Sequence, residues 1–158
     1  MPWTTPELEK LSEKAKKLLK KEFSREVTAT IFLTNREEMT QRVIDELEEE
    51  GCTKENIRIL SKLFIPNLVG KYFRRTNEIL VVTGIGENVE TILHEYLHAI
   101  QKCEPNREGI VDYITYKITG NNNYIDTYDL KDWEEIERAN TYKKIKNRLV
   151  REGDCEEF

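Results

Sequence analysis

Residues 88–103, NVETILHEYLHAIQKC, decide the fold of this 158-residue chain. Asn88 is a good N-cap residue. Apolar side chains follow it at the spacing of an α-helix, at Val89, Leu93, Tyr96, Leu97 and Ile100. The stretch therefore predicts an amphipathic helix, and this helix carries the only two histidines of the chain, His94 and His98.

The two histidines belong to the sequence HEYLH, in which Glu95 follows His94. Residues four apart on a helix differ by about 40° around its axis, so both imidazoles can reach one tetrahedral metal ion from the same side. Glu95 can reach a water beside that metal without being a ligand. The apolar stripe points roughly 130° away from the histidines, which predicts a helix lying beneath a cleft. The alternative is a pair of surface histidines with a solvated glutamate between them.

The residues before this helix predict a mixture of helices and strands. Residues 68–83, LVGKYFRRTNEILVVT, contain two β-like runs around the polar sequence RRTN and predict a hairpin. Thr5, Asn35 and Gly51 are helix-capping residues. Together with hydrophobic periodicity they predict helices over 6–23, 35–50 and 53–63 and a strand over 26–33. Strand followed by helix favours an α/β or α+β fold.

Residues after the histidine helix predict two further helices, over 108–119 and 132–151, separated by a polar loop. No repeat and no Gly/Ser-rich or Pro-rich linker interrupts the chain, so we expect a single domain, 1–158. No histidine follows His98, so a third metal ligand from the protein must be a carboxylate or a thiolate.

The order of GKYFRRTNEILVV, TILHEYLHAIQ and EEIERA resembles that of small gluzincin metallopeptidases, such as the minigluzincins and the ImmA/IrrE-type enzymes. The resemblance covers about residues 69–148. It implies a small zincin-like α+β domain. In such a domain a mixed or antiparallel sheet with a hairpin packs on the HExxH helix, and a C-terminal helix bears a glutamate.

In gluzincins the third zinc ligand is a glutamate on a later helix, and DWEEIERAN offers Glu134, Glu135 and Glu137. Helical phase places Glu135 within about 25° of the centre of the apolar face of helix 132–151, whereas Glu134 and Glu137 point well away. A carboxylate on an apolar face is costly unless it is paired or bound to a metal. We therefore expect Glu135 as the ligand and Glu137 as the next choice, with a salt bridge as the alternative for each.

The function that the resemblance implies is zinc-dependent hydrolysis of peptide bonds. Zn²⁺ held by His94, His98 and Glu135 would activate a water molecule, and Glu95 would act as general base. The strand over 78–82 would be the rim strand that pairs with an extended substrate. Tyr124 and Tyr128 are candidates for stabilising the oxyanion. Asp112 can orient a ligand imidazole, as can a backbone carbonyl, so Asp112 is left unassigned.

Composition limits the other function classes. A net charge of −5 argues against general affinity for nucleic acid, and neither a transmembrane span nor a secretory signal is visible. The three cysteines form no CxxC pair, which fits reduced thiols in a cytoplasmic protein. We expect a peptide or protein substrate and no nucleic-acid or membrane partner; the oligomeric state stays open.

The alternative function is a non-catalytic or latent regulatory or interaction protein that retains a zinc site. Cys155 in the C-terminal tail could fold back onto the open zinc position, which is one route to latency. Cys103 is more simply a packed thiol than a ligand.

Overall fold

The computed structural model describes residues 1–101 and 108–120. These residues form an α+β fold of five helices, one short 3-10 helix and three strands. In chain order the elements are α1 (Pro6–Phe23), β1 (Thr30–Thr34), α2 (Arg36–Glu49), α3 (Lys54–Leu63), the 3-10 helix (Ile65–Asn67), β2 (Gly70–Phe73), β3 (Glu78–Val82), α4 (Val89–Ile100) and α5 (Glu108–Thr119).

The sheet is mixed and has the order β1-β3-β2. Strand β1 runs parallel to β3, with Thr30 opposite Glu78 and Thr34 opposite Val82. Strand β2 runs antiparallel to β3, with Gly70 opposite Val81 and Phe73 opposite Glu78. The predicted hairpin is therefore confirmed, and residues 74–77 form its turn, with Asn77 in the left-handed region at φ 54°.

The position of β3 corrects one prediction. The strand over 78–82 was expected to be the rim strand, but β3 lies between β1 and β2 and is paired on both sides. Its backbone groups are therefore used within the sheet. The edge strand next to α4 is β2, which packs against that helix.

The first strand is shorter and lies later in the chain than the predicted 26–33, because β1 begins at Thr30. Its only ladder partner is β3, which begins at Glu78, directly opposite Thr30. Residues 26–29 lie beyond the start of β3, so their β-favouring side chains have no strand to pair with. On the other side, Trp3 forms an isolated antiparallel bridge with Leu33.

The helix predictions agree closely with the structure where it describes the chain. Thr5 and Asn35 cap α1 and α2, accepting hydrogen bonds from the amides of Leu8 and Glu38, and Gly51 has φ 83° after α2. Helix α5 covers the predicted residues. Helix α4 ends at Ile100, three residues earlier than predicted, because Gln101 is extended. The predicted helix over 132–151 lies outside the described residues.

Two hydrophobic clusters form on opposite faces of the sheet. Alternate residues of β3 contribute to each: Ile79 and Val81 to one, Leu80 and Val82 to the other. The first cluster, called the α4 cluster here, joins the sheet to α1, α4 and α5. The second, the α2 cluster, contains Met39 and Val43. None of the helices in the described residues is long and apolar enough to cross a membrane.

A buried hydrogen bond joins α1 to α4. The hydroxyls of Ser12 and Tyr96 lie 2.5 Å apart in the α4 cluster, and Tyr96 is fully buried. Burial raises the pKa of the Tyr96 phenol, which keeps it neutral. We expect Tyr96→Phe to lower the free energy of unfolding by about 1–2 kcal/mol, because the Ser12 hydroxyl loses its buried partner. Urea denaturation followed by circular dichroism measures this.

The matched variants are Ser12→Ala and the double change Ser12→Ala/Tyr96→Phe. If the two hydroxyls are coupled, the double variant loses less stability than the two single losses added together. Strict additivity would contradict the coupling.

An ion pair joins α2 to β3. The Arg42 guanidinium donates to Glu78 Oε1 at 2.6 Å, and this hydrogen bond lowers the pKa of the Glu78 carboxyl. A carboxyl whose pKa is lowered by folding stabilises the protein above its unfolded pKa of about 4.3, and this contribution disappears as the pH falls through the folded value. Arg42→Gln should therefore cost about 0.5–1 kcal/mol more at pH 7 than at pH 3, measured by urea denaturation.

The control for this prediction is Arg58→Gln, which removes the more exposed pair between Arg58 and Glu55 within α3. Its cost should be a few tenths of a kcal/mol at either pH. A loss in Arg42→Gln that is equal at pH 7 and pH 3 would show that Arg42 acts through its contact with the Phe73 ring, over which it lies, and not through the ion pair with Glu78.

Candidate metal centre

The Nε2 atoms of His94 and His98 lie close together. These two atoms are 3.1 Å apart, and the two ring planes meet at 69°. Two nitrogens bound to one tetrahedral zinc ion lie about 3.3 Å apart, given zinc–nitrogen distances of about 2.0–2.1 Å. The observed separation therefore fits two ligands of a single metal ion. The spacing predicted from HEYLH is realised in the side-chain geometry.

Asp112 on α5 orients the first histidine. Its Oδ1 lies 2.8 Å from His94 Nδ1, and the carboxylate is largely buried. A carboxylate accepts the proton of Nδ1–H, so the lone pair of the neutral imidazole is at Nε2, the nitrogen that faces His98. Of the two partners weighed from the sequence, a carboxylate and a backbone carbonyl, the structure shows the carboxylate of Asp112 beside His94.

Glu95 is buried beside the two histidines, with 7% of its surface exposed. Its carboxylate lies near enough to the imidazoles that His94, Glu95 and His98 form a group able to hold a metal ion, with one ligand atom from each within 4.8 Å of the others. Among the described residues this is the only such group of three or more. Glu95 Oε1 accepts a hydrogen bond of 3.1 Å from the backbone amide of Tyr72.

The amide of Tyr72 is free to reach Glu95 because of the register of the hairpin. Val82 donates to the carbonyl of Val69, so in this antiparallel ladder Lys71 and Phe73 are the next residues of β2 that bond to β3. The backbone groups of Gly70 and Tyr72 consequently point away from β3. They face the side of β2 on which no strand of the described residues pairs, and the Glu95 carboxylate lies on this side.

Gly70 allows β2 to come this close to α4. A Cβ atom at Gly70 would lie 3.0 Å from Thr91 Cγ2, 3.3 Å from Glu95 Cγ and 3.4 Å from Glu95 Oε2. Any side chain at position 70 would therefore press against Thr91 and Glu95 of α4. A glycine within a strand often marks such a close approach, so the sequence held a signal for this contact.

Helix α4 is buried more completely than its amphipathic pattern predicts. His98 is 4% exposed, whereas His94 is half-buried. The helix packs against α1 on one side and against β2 and α5 on others. The Asp112 carboxylate contacts His94 and the Tyr72 amide donates to Glu95, so the histidine face of α4 is packed against other parts of the protein.

Several predicted site residues lie outside the described part of the chain. They are the third-ligand candidates Glu134, Glu135 and Glu137, the oxyanion candidates Tyr124 and Tyr128, and Cys103 and Cys155. His94, Glu95 and His98 are brought together as predicted. The sequence alone predicts no role for Gly70 or for the Tyr72 amide, because RRTN predicts only a turn and GKYF only a strand.

Neither a family model, nor a curated protein, nor a solved structure matches the chain. The assignment of the site therefore depends on the residues and their geometry.

The contact between Asp112 and His94 predicts a measurable effect on metal binding. Replacing Asp112 with alanine removes the acceptor at His94 Nδ1, so the ring can rotate and change tautomer. Loss of such a partner typically weakens metal affinity by about 10–100-fold, and we expect Asp112→Ala to do the same to Zn²⁺ affinity. Competition with a chromophoric chelator measures the affinity.

Thr115→Val is the matched control. Thr115 is buried one turn later on α5 and its hydroxyl donates to the carbonyl of Val111, so this change removes a buried polar group without touching the histidines. It should leave Zn²⁺ affinity unchanged. Equal affinities in the wild type and Asp112→Ala would contradict the orienting role.

Proposed function

We propose that the chain is a zinc metallopeptidase of the gluzincin type, with a zincin-like domain in which His94 and His98 bind zinc and Glu95 is the general base. One observation carries the proposal. The two Nε2 atoms lie 3.1 Å apart, His94 is held by Asp112, and the Glu95 carboxylate is buried beside them. These are the parts of an HExxH site, arranged around one point.

Zinc bound here supplies a Lewis acid that polarises a peptide carbonyl and makes water a better nucleophile at neutral pH. The residues of the chain hold and move the proton. In the structure Glu95 Oε1 accepts a hydrogen bond from the Tyr72 amide, which holds the carboxylate beside the histidines. With a peptide bound in place of this contact, the Glu95 carboxylate would take the proton of the attacking water and deliver it to the departing amine.

The third ligand in this proposal is Glu135, with Glu137 as the second choice. The support is the helical phase that the sequence predicts for residues 132–151 and the chemistry of the donor set. Two neutral imidazoles and one carboxylate leave one tetrahedral position open, which is the ligand set of catalytic zinc sites in several metallopeptidases.

The substrate in this proposal is an extended peptide that adds to the edge of β2 opposite β3, which no strand of the described residues occupies. The backbone groups of Gly70 and Tyr72 point away from β3 and face this edge, beside Glu95. Addition of a strand supplies affinity through main-chain hydrogen bonds that do not depend on the peptide sequence. In this role β2 replaces β3, whose two edges are both occupied.

A second candidate is a latent or non-catalytic protein that keeps the zinc site. Two observations favour it: His98 and Glu95 are nearly inaccessible, and the Tyr72 amide is bonded to Glu95. In this case a partner, or displacement of a covering segment, would be needed before a peptide could reach the site.

Two measurements separate the candidates. Emission spectroscopy of the purified protein should find about one zinc per chain, and His94→Ala should lose it. Glu95→Gln should keep the zinc, because glutamine is nearly isosteric and Glu95 is not a ligand, but should lower peptide cleavage by about 10²–10⁴-fold. Cleavage is measured on a peptide library by mass spectrometry.

Glu55→Gln is the control for charge, because Glu55 is an exposed residue of α3, outside the histidine helix. It should keep both zinc and cleavage. A wild-type protein without zinc would refute both candidates, whereas bound zinc without cleavage of any peptide would favour the latent protein. Zinc content of Glu135→Ala and Glu137→Ala tests the third ligand, and full retention by Glu135→Ala would exclude it.

A further inference from the structure

Helix α4 ends close to its second histidine. His98 stands two residues before Ile100, the last residue of the helix, and Gln101 is already extended. In general the last four carbonyls of an α-helix have no amide partner within that helix, and helix ends fray when these carbonyls are unsatisfied. The position of the His98 ring therefore depends on whatever holds this turn in place.

Arg74, the first residue of the hairpin turn, reaches this helix end. Its Nη1 donates to the carbonyl of Gln101 at 3.1 Å, and its Nη2 donates to the carbonyl of His98 at 3.4 Å. A guanidinium forms such a fork with two acceptors and keeps its charge at any ordinary pH. Its positive charge also lies at the negative end of the helix dipole.

Neighbouring residues of the hairpin hold the Arg74 guanidinium in position. Arg74 lies over the ring of Tyr72, 5.5 Å from its centroid, and the Tyr72 hydroxyl donates to Asn77 Oδ1 at 2.9 Å. Asn77 in turn donates from Nδ2 to the hydroxyl of Thr28. The side chain of Arg74 is thus stacked on a ring that is itself fixed across the turn.

The hairpin of β2 and β3 contacts two residues of the HEYLH sequence, Glu95 through the Tyr72 amide and His98 through Arg74. The amide holds Glu95, and two residues later the guanidinium holds the backbone of His98. From this geometry we infer that Arg74 is a positioning residue of the metal centre, which keeps His98 in register with His94 by clamping the last turn of α4. The inference depends on the proposed zinc site.

The test compares Arg74→Gln with Arg75→Gln. Arg75 is the next residue in the same turn, but its side chain pairs with Glu49 on α2. Arg74→Gln should weaken Zn²⁺ affinity by about tenfold, the lower end of the range for groups that orient metal ligands. It should also change the visible spectrum of the Co²⁺-substituted protein, which reports on ligand geometry. Arg75→Gln should change neither, and Arg74→Lys should restore part of the affinity.

A second control separates positioning from general stability. Val43→Ala creates a cavity in the α2 cluster, across the sheet from α4, and should lower the melting temperature without changing Zn²⁺ affinity. Amide hydrogen exchange in the metal-free protein gives a readout independent of zinc. Exchange at the Gln101 amide, which donates to Leu97, should be faster in Arg74→Gln than in Arg75→Gln.

The outcomes distinguish this inference from the proposed function. A wild-type protein that binds no zinc would refute the proposed function, whereas the exchange experiment would still report on the clamp. If the wild type binds zinc and Arg74→Gln binds it equally well, with an unchanged Co²⁺ spectrum, Arg74 has only a structural role and the inference is wrong.

Discussion

The close approach of β2 to α4 is the constraint on which the site depends. The strand touches the helix where Gly70 has no side chain, and a Cβ there would lie 3.0 Å from Thr91 and 3.3 Å from Glu95. Because of this approach, the Tyr72 amide donates a hydrogen bond to the Glu95 carboxylate. Arg74 in the hairpin turn likewise reaches the carbonyl of Gln101 at the end of the helix. A buried carboxylate without such a donor would destabilise the fold, because its charge would lose water and gain nothing in return.

Three different parts of the chain contact polar groups of α4. Glu95 is held by β2, His94 by α5, and the final carbonyls by the hairpin turn. None of these partners is a neighbour of the helix in sequence, so the histidines acquire their orientation only when the sheet and α5 have packed on α4. This arrangement couples the geometry of the two histidines to the tertiary structure. The isolated sequence HEYLH has the spacing of the site but not the groups that orient it.

The features that the sequence predicted well are those with local causes. Capping by Thr5 and Asn35 and the polar turn of the hairpin depend on residues within one turn of each other, and the structure has them where expected. The bounds of β1 and the central position of β3 depend on pairing between distant strands. The continuous apolar run ILVV is typical of a strand that is buried on both faces. The family resemblance implied a rim strand at the same residues instead. Likewise, helical spacing predicted the two histidines, whereas no local pattern selects the Asp112 carboxylate over a carbonyl.

The bond between the Tyr72 amide and Glu95 relates the two candidate functions to each other. A peptide that adds to β2 as a strand requires main-chain donors at this edge, and the Tyr72 amide is one of them. The same amide cannot fully serve a peptide carbonyl and the Glu95 carboxylate at once. Binding of a peptide would therefore release Glu95 from the strand just when a base is needed beside the histidines. If no peptide can displace this bond, the same contact keeps the site closed. Whether the protein is an enzyme or a latent protein thus depends on whether strand addition at β2 is stronger than the hydrogen bond between the Tyr72 amide and Glu95. The net value of such a charge-assisted hydrogen bond is about 1.5–3 kcal/mol. Several main-chain hydrogen bonds, each contributing about 0.5–1.5 kcal/mol, must together exceed that value and the cost of ordering the peptide for the site to open.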